Sequence, residues 1–279
     1  MKILQKQQIM TRPMLRYHGG KFMLADWILS HFPEHHIYTE TFGGAASVLL
    51  RKKRCYAEIY NDLDGEIVNL FKVVRDNGDL FIEKLKHTPF SREEFNNSYL
   101  FNEDPLERAR RTVIRSFMGF SSGLSSIYRT GFRANSNRSG TTPAHDWCNL
   151  PDAYKAIIDR LQGVVIENRN YVEIANQHDG LTTLHFFDPP YVLDTRYKGQ
   201  KTKVYSHEMS NDDHEAFCKN IIGLKGMTVV CGYENDIYND LLPDFKRVYR
   251  KAYADGARER IEVLYLSPNI NLKQKSLFD

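Results

Sequence analysis

The 279-residue sequence contains no run of about 18 consecutive apolar residues, the length that a membrane-spanning helix needs. The segment from Met1 to Thr11 also lacks the apolar stretch of a signal peptide. The sequence therefore predicts neither membrane insertion nor secretion, and we expect a cytoplasmic protein without a membrane partner. A phosphate-binding loop is missing too, because no glycine is followed by Lys and then by Ser or Thr.

Cysteine is scarce, and no two of the four cysteines form a CxxC pair. This spacing argues against a zinc site and a disulfide framework, and it predicts reduced, mostly buried thiols. The ten histidines are scattered, and the adjacent pair His35 and His36 favours a solvated loop, because neighbouring side chains do not converge on one metal ion. We therefore expect no metal cofactor. The cysteines are Cys55, Cys148, Cys218 and Cys231.

Acidic residues and lysine are absent from residues 108 to 145, although the net charge of the whole chain is only +3. Seven arginines and several aromatic residues occupy the same segment, a composition that suits phosphates and base edges and favours nucleic-acid contact. A structural alternative stays open, because Arg108, Arg111 and Arg115 recur at helical spacing on one face. The seven are Arg108, Arg110, Arg111, Arg115, Arg129, Arg133 and Arg138.

A chain with 42% hydrophobic and 12% aromatic residues can bury a sizeable core. Strand and helix patterns alternate up to about residue 75 and resume after residue 152, whereas prolines, polar stretches and the arginines interrupt them in between. We therefore predict an α/β fold, with one domain formed by residues 1–75 and 153–279 and a small, partly helical insertion at 76–152. The predicted strands are Ile37 to Glu40, Cys55 to Tyr60, Val164 to Glu167, Leu184 to Phe187, Met227 to Cys231, Phe245 to Ala254 and Ile261 to Leu266.

The stretch from Leu184 to Tyr191, LHFFDPPY, is typical of a buried strand that ends abruptly. Its two prolines cannot donate ladder hydrogen bonds, so they force the backbone out of the sheet. A carboxylate and an aromatic ring thus lie together at the carboxyl end of a strand, the edge where open α/β sheets bind ligands. An ordinary turn with a solvated Asp188 is the alternative that this stretch alone leaves open.

Three further turns carry glycine or acidic residues. The run from Arg16 to Lys21, RYHGGK, precedes a helical pattern and predicts either an anion site at a helix amino end or an ordinary glycine turn. The run from Glu40 to Ala46, ETFGGAA, leads from a strand into a helix. The second strand ends in Asn61-Asp62, about 20 residues beyond the glycines, where an acid suits a ribose diol.

Four motifs occur in order, YxGGK, ExFGG, ND and DPPY, and a basic segment precedes the last. Together they resemble the Dam-type DNA adenine-N6 methyltransferases over nearly the whole chain. The resemblance implies a Rossmann-like seven-stranded methyltransferase sheet that uses S-adenosylmethionine, with the insertion as a mostly helical target-recognition subdomain. It implies a bacterial or phage-encoded enzyme that methylates an adenine flipped out of double-stranded DNA at a specific site. A restriction partner and the oligomeric state stay open.

The resemblance also implies the site residues. The target base is received by Asp188, Pro189, Pro190 and Tyr191, with hydrogen-bond acceptors on Asp188 and on the Pro189 carbonyl. The cofactor set is Tyr17, Gly20, Lys21, Glu40, Phe42, Gly43, Asp62, Asn170, Tyr171 and Asp188. In it, Asp62 holds the ribose and Asn170 and Tyr171 flank the adenine. For DNA contact we predict Arg115, Arg129, Arg133 and Arg138 in the insertion, and Arg196 and Lys198 in a basic loop at 194–207.

Three residues depart from the family pattern. Thr41 stands where the family usually has Pro, Ala46 where a further Gly is common, and Asn170 where an Asp usually accepts from the cofactor adenine. Because Asn keeps a carbonyl acceptor, we expect retuned cofactor binding rather than its loss. Two alternatives are methylation of another amine or amide, such as cytosine N4 or protein glutamine, and a DNA-binding module that retains the fold without turnover.

Overall fold

The computed structural model describes residues 10, 12–120, 124, 129–137, 140–196, 205–254 and 258–270. Within these residues, seven strands form one sheet, in which the first five strands along the chain pair in parallel and the last strand pairs antiparallel with both of its neighbours. The seven-stranded α/β sheet that the resemblance implied is therefore confirmed. The strands are β1 (Ile37–Glu40), β2 (Ala57–Asn61), β3 (Val164–Glu167), β4 (Thr183–Phe187), β5 (Met227–Gly232), β6 (Lys246–Ala254) and β7 (Arg258–Leu266).

The order of the strands, β3-β2-β1-β4-β5-β7-β6, creates a crevice at the middle of the sheet. The chain runs outwards in one direction from β1 through β2 to β3, and then continues on the other side of β1 with β4 and β5. Ligands bind in open α/β sheets at the carboxyl ends of the strands where this direction changes. Glu40, the last residue of β1, pairs in register with Phe186 of β4, so Asp188 follows two residues beyond the same edge.

Eleven α-helices connect or cover the strands in the described residues. None of them is long and apolar enough to span a membrane. Four lie within residues 76–152, where the sequence predicted a partly helical insertion, and a fifth begins there and extends to residue 161. The helices are α1 (Ala25–Leu29), α2 (Ser47–Arg51), α3 (Gly65–Asp76), α4 (Gly78–Lys86), α5 (Arg92–Asn97), α6 (Pro105–Met118), α7 (Pro143–Cys148), α8 (Leu150–Leu161), α9 (Tyr171–Gln177), α10 (Asn211–Ile222) and α11 (Asp236–Leu241).

Apolar side chains pack on both faces of the sheet, and β4 shows the alternation. Phe186 belongs to the core that α1, α3 and α8 cover, whereas Phe187 belongs to the core of α10 and α11. Phe81, Val113 and Trp147, from the helices of residues 76–152, lie in the same continuous core as Phe186. The boundaries at residues 76 and 152 stay a prediction, because the apolar core extends across them.

Two local predictions were wrong. Helix α1 begins at Ala25 and not directly after the glycine pair, because a turn intervenes in which the Leu24 N–H donates to the Lys21 carbonyl at 2.9 Å. The expectation of mostly buried thiols holds for Cys218 and Cys231 but fails for Cys148, which is exposed where α7 ends.

Candidate active site

A cleft of about 590 Å³ lies at the carboxyl edge of the sheet, where the strand order predicts ligand binding. Residues of all four sequence motifs line it, so the structure brings these motifs together. The predicted site residues in its walls are Tyr17, Gly20, Lys21, Glu40, Phe42, Gly43, Asp62, Asn170, Tyr171, Asp188, Pro189 and Pro190. Tyr191 lies beside the cleft, in contact with Lys21 and Glu262.

Asp188 follows β4 directly, and its two carboxylate oxygens differ in their environment. Oδ2 pairs with the Lys21 ammonium at 2.9 Å, whereas Oδ1 is buried without a hydrogen-bond partner. Burial raises the pKa of Asp188 to about 6, although Lys21 favours the carboxylate. The turn therefore presents a buried acceptor with free capacity, and not the solvated Asp of the structural alternative.

Lys21 reaches Asp188 because the RYHGGK run forms a tight turn. The Gly20 N–H donates to the Tyr17 carbonyl at 3.1 Å, and Gly19 adopts a φ of 69°, where glycine carries little strain. The Lys21 ammonium also donates to the Gly19 carbonyl at 2.5 Å. Burial opposes the charged form, but Asp188 outweighs it and holds the pKa of Lys21 above its usual value. Lys21 is only 5% exposed, so this pair is a fixed part of the site.

Glu40 lies at the end of β1 and is almost fully buried. Its Oε2 accepts hydrogen bonds from the Tyr38 hydroxyl at 2.7 Å and from the Leu49 N–H at 2.8 Å. Burial raises the pKa of Glu40 to about 8 in spite of these two donors. A second carboxyl group with a raised pKa therefore lines the same cleft as Asp188.

The glycine turn after β1 packs too closely for side chains. A Cβ on Gly43 would lie 2.1 Å from the Tyr60 ring, and a Cβ on Gly44 would lie 2.9 Å from the Tyr17 ring. The Gly44 N–H donates to Asp62 Oδ2 at 2.7 Å, which fixes the acid at the end of β2 against this turn. Burial raises the pKa of Asp62 to about 6. The backbone of the turn and this carboxyl group form one wall of the cleft.

Asn170 and Tyr171 form another part of the wall at the start of α9. The Asn170 Oδ1 caps this helix by accepting from the Val172 N–H at 3.0 Å, so the carbonyl expected to face the cofactor already has a backbone donor. The Tyr171 ring lies 5.2 Å from that of Phe42, and its hydroxyl accepts from Asn220 at 3.1 Å. Two aromatic rings therefore face the cleft side by side.

Tyr191 is held by residues that the sequence analysis missed. Its hydroxyl donates to Glu262 Oε2 at 2.6 Å and lies 3.4 Å from Cys231 Sγ. The sequence could have indicated Glu262, because it lies at the same alternate positions of the final strand as the buried residues Leu264 and Leu266 and therefore on the same face. A carboxylate in an apolar alternation requires a partner, and the partner here is Tyr191.

Residues 205–209 also line the cleft, although the sequence analysis assigned residues up to 207 only to a basic loop for DNA contact. The Tyr205 ring packs against Tyr17 at 6.4 Å and edge-on against His18 at 5.7 Å, and Ser206 Oγ lies 3.2 Å from Asp64 Oδ2. The segment extends the cleft wall beyond the four motifs.

The arginines of residues 108–145 are less free than the sequence suggested. Arg108 pairs with Glu66, Arg110 with Glu94 and Glu107, and Arg111 with Glu107. The interpretation as an unbalanced cationic segment was therefore wrong for these three arginines, because acids outside the segment in sequence lie next to them in space. The helical spacing noted as the alternative for Arg108, Arg111 and Arg115 fits the structure, because all of these arginines lie on α6.

The predicted DNA-contact residues differ in exposure. Arg129 is exposed, with its guanidinium 4.9 Å from the centroid of the Tyr99 ring. Arg115 donates to the Ser98 carbonyl at 2.5 Å, and Arg133, which is 9% exposed, donates to the Phe117 carbonyl at 2.9 Å. Arg196 is also 9% exposed and pairs with Glu208 through both terminal nitrogens. The two remaining predicted contacts, Arg138 and Lys198, lie outside the described residues.

Comparison with known proteins adds the family. A family model described as D12 class N6 adenine-specific DNA methyltransferase matches residues 17–263. The type II methyltransferase M1.LlaDCHI of Lactococcus lactis subsp. cremoris is 27% identical over 214 residues, 69% of this chain and 70% of that protein. The DNA adenine methylase of Haemophilus influenzae is 30% identical over 124 residues, 41% of this chain and 43% of that protein. The DNA adenine methylase of Serratia marcescens is 36% identical over 97 residues, 34% and 35% of the two chains. Because the family model spans most of the sequence and the cleft unites its motifs, the chain belongs to the D12 class of N6 adenine-specific DNA methyltransferases.

Proposed function

We propose that the protein methylates the N6 amine of an adenine flipped out of double-stranded DNA, with S-adenosylmethionine in the 590 Å³ cleft and Asp188 as the acceptor for the amine. One observation carries this proposal: Asp188 Oδ1 is buried without a partner at the carboxyl edge of β4. A buried carboxylate oxygen without a donor costs stability, so its persistence favours a role towards a ligand that donates hydrogen bonds.

The residues of the cleft fit the cofactor. Gly43 and Gly44 leave no room for side chains and expose the backbone to a ligand. Each oxygen of Asp62 accepts one backbone N–H, from Gly44 or from Asp64, so each retains acceptor capacity for a ribose hydroxyl. Phe42 and Tyr171 offer aromatic surface to an adenine ring. We propose that this wall, with Tyr17, Gly20, Glu40 and Asn170, holds the cofactor.

Asp188 must accept hydrogen bonds as a carboxylate. The amine of adenine is a poor nucleophile because its lone pair is delocalised into the ring. Asp188 Oδ1 and the Pro189 carbonyl would draw the amine hydrogens out of the ring plane and localise that lone pair, while the carboxylate offsets positive charge on nitrogen. Lys21 supports this role because its ammonium at 2.9 Å opposes the rise in the pKa of Asp188. When bound, S-adenosylmethionine supplies a methyl group already activated by its sulfonium.

The target base must leave the duplex, because the N6 amine is inaccessible inside it. Tyr191 is partly exposed beside Asp188, and stacking of the flipped base on its ring would return about 1 to 3 kcal/mol of the unstacking cost. Among the arginines, the exposed Arg129 is the best-placed candidate for a DNA contact. Arg115, Arg133 and Arg196 would first have to break their hydrogen bonds to other groups of the protein.

The test is to incubate the protein with labelled S-adenosylmethionine and unmethylated duplex DNA, and then to identify the labelled base and its sequence context. We expect N6-methyladenine at a defined sequence, and no incorporation into DNA that the enzyme has already methylated. Label on cytosine or on protein would overturn the choice of substrate. A folded protein that binds cofactor and DNA without any transfer would support a module without turnover.

A further inference from the structure

Glu262 is a buried carboxylate behind the catalytic turn. It is 7% exposed, and its Oε2 accepts from the Tyr191 hydroxyl at 2.6 Å. Cys231 Sγ lies 3.8 Å from the same oxygen and 3.4 Å from the Tyr191 hydroxyl. Since Cys231 belongs to β5 and Glu262 to β7, two adjacent strands of the sheet hold the hydroxyl end of Tyr191.

Tyr191 in turn contacts the catalytic pair. The Lys21 ammonium lies 4.8 Å from the centroid of the Tyr191 ring, and the Tyr233 ring packs against Tyr191 edge-on at 4.6 Å and 72°. Lys21 then reaches Asp188 Oδ2 at 2.9 Å. A continuous line of contacts therefore runs from Glu262 through Tyr191 and Lys21 to the carboxylate of Asp188.

A purely structural role explains Glu262 poorly. The strand register places Arg250 opposite it, but the Arg250 guanidinium lies over the Trp27 ring, 5.8 Å from the centroid, while Glu262 accepts from Tyr191. Leu264 and Leu266 fill the same face of β7 with apolar side chains. A buried carboxylate is expensive where an apolar residue would pack, so its presence is best explained by what it holds.

We infer that Glu262 is a positioning residue: by holding the Tyr191 hydroxyl, it fixes the ring in the orientation that receives the target base and keeps Lys21 against Asp188. The inference rests on the proposed function, because it assigns Glu262 a part in adenine methylation. Glu262 itself touches neither the proposed cofactor wall nor the reacting amine.

Three single variants test the hydrogen bond. Glu262→Ala removes the acceptor, Tyr191→Phe removes the donor but keeps the ring, and Glu262→Gln retains an acceptor without the charge. We expect Glu262→Ala and Tyr191→Phe each to lower kcat/KM for DNA about tenfold, the effect of one lost hydrogen bond to a charged group. Glu262→Gln should restore activity to within about threefold of the native protein, because its amide oxygen can accept from Tyr191.

Two readouts separate positioning from folding. The affinity for S-adenosylmethionine should stay near its native value in all three variants, and the melting temperature should stay near native in Glu262→Gln, while it falls in the two variants that remove one partner of the buried hydrogen bond. The fluorescence of an adenine analogue, placed at the target base that the labelling experiment identifies, should fall in Glu262→Ala and Tyr191→Phe. Their double variant should be no worse than either single variant, because both remove the same contact.

The outcomes distinguish this inference from the proposed function. Native methylation and fluorescence in Glu262→Ala would overturn the positioning role, and so would equal losses of stability and cofactor affinity in Glu262→Ala and Glu262→Gln. Tyr191→Ala is the reference variant. An unchanged fluorescence signal in Tyr191→Ala would defeat base stacking in the proposed function, whereas a loss there but not in Glu262→Ala defeats the role of Glu262 alone.

Discussion

The carboxyl edge of the sheet and the arginine-rich segment at 108–145 both carry charged side chains that the sequence linked to function, but their partners differ. At the sheet edge, Asp188 Oδ1 is buried without a partner, and burial raises the pKa of Glu40 to about 8. In the arginine-rich segment, Arg108, Arg110 and Arg111 all have glutamate partners. The sheet edge therefore buries carboxyl groups whose charged form is disfavoured or incompletely satisfied, whereas the arginine-rich segment pairs these three charges with carboxylates.

The difference separates catalysis from architecture. An unfavourable buried group persists where a ligand needs it, because a protein can otherwise replace it with a satisfied or an apolar residue. A satisfied ion pair needs no such explanation. We therefore expect substitutions at the sheet edge to change activity more than stability, and substitutions of the paired arginines to do the reverse.

The largest expected effect follows from Asp188→Ala. Loss of one preorganised polar group at the reacting atom lowers a rate by roughly 100-fold or more, and we expect at least that loss of methyl transfer. Single-turnover incorporation of labelled methyl groups into DNA measures it. Near-native methylation by a folded Asp188→Ala protein that binds the cofactor would reject the proposed role of Asp188.

Asp188→Asn is the matched control for this variant. Alanine leaves the buried Lys21 ammonium without its carboxylate at 2.9 Å, so part of its effect arises from a disturbed pair. Asparagine keeps a carbonyl oxygen for Lys21 but replaces the charge and the second acceptor with an NH2 donor. Its activity should therefore be as low as that of Asp188→Ala, at native cofactor affinity, if the loss comes from the acceptor and not from a disturbed Lys21.

The reverse pattern is expected for Arg110→Ala. The guanidinium of Arg110 bonds to Glu107 at 2.6 Å and to Glu94 at 2.7 Å, and its side chain is 15% exposed. Its removal leaves two carboxylates without this partner and should lower the free energy of unfolding by roughly 1 to 3 kcal/mol. Urea denaturation measures this loss. Unaltered stability together with a large loss of DNA binding would show that the paired arginines contact DNA.

The strands of the sheet were predictable because each carries its own hydrophobic pattern. Predicted and observed bounds agree for β1 and β3, and they differ by a few residues elsewhere. The largest difference is at the start of β7, which begins at Arg258 and not at the predicted Ile261. Its first residues pair with β6 alone, beyond the end of β5, so they lack the apolar alternation that marks a strand packed in a core.

Side-chain partners from distant segments were not predictable. The motifs located Lys21 and Asp188 at neighbouring turns, but their ion pair and the hydrogen bond from Tyr191 to Glu262 join residues far apart in sequence. The same limit explains the arginine segment, where the absence of acids in sequence said nothing about Glu66 and Glu94 in space. A charge pattern along a chain predicts composition, whereas the free charge of a surface depends on tertiary packing.

The variant Glu40→Gln tests whether burial of a carboxyl group at the sheet edge lowers the stability of the fold. The pKa of Glu40 is raised from 4.5 in the unfolded chain to about 8 in the fold. The unfolded chain therefore releases this proton first, and stability falls as the pH rises from about 5 to about 8. Because glutamine cannot ionise and its oxygen can still accept from Tyr38 and Leu49, the variant should gain at least about 1 kcal/mol over the native protein at the upper pH.

Thermal denaturation of both proteins at about pH 5 and about pH 9 measures this gain. It should be small at the lower pH, where the native Glu40 is protonated in the fold. An equal gain at both values would mean that ionisation of Glu40 does not limit stability, and the contrast between the two regions would then rest on Asp188 alone.

The smallest expected effect divides the arginine-rich segment itself. Arg129 is exposed over the Tyr99 ring, whereas Arg111 donates to Glu107 at 2.8 Å and to the Leu100 carbonyl at 2.7 Å. If Arg129 contacts one phosphate, Arg129→Ala should reduce the slope of log K against log salt concentration by about 0.9. Arg111→Ala removes the same formal charge and should leave that slope unchanged, because its charge is already neutralised by a protein carboxylate.

Titrations of duplex DNA at several salt concentrations measure both slopes. Equal losses for the two variants would mean that the segment acts through its total charge, and the ion pairs with Glu66, Glu94 and Glu107 would then have to open when DNA binds.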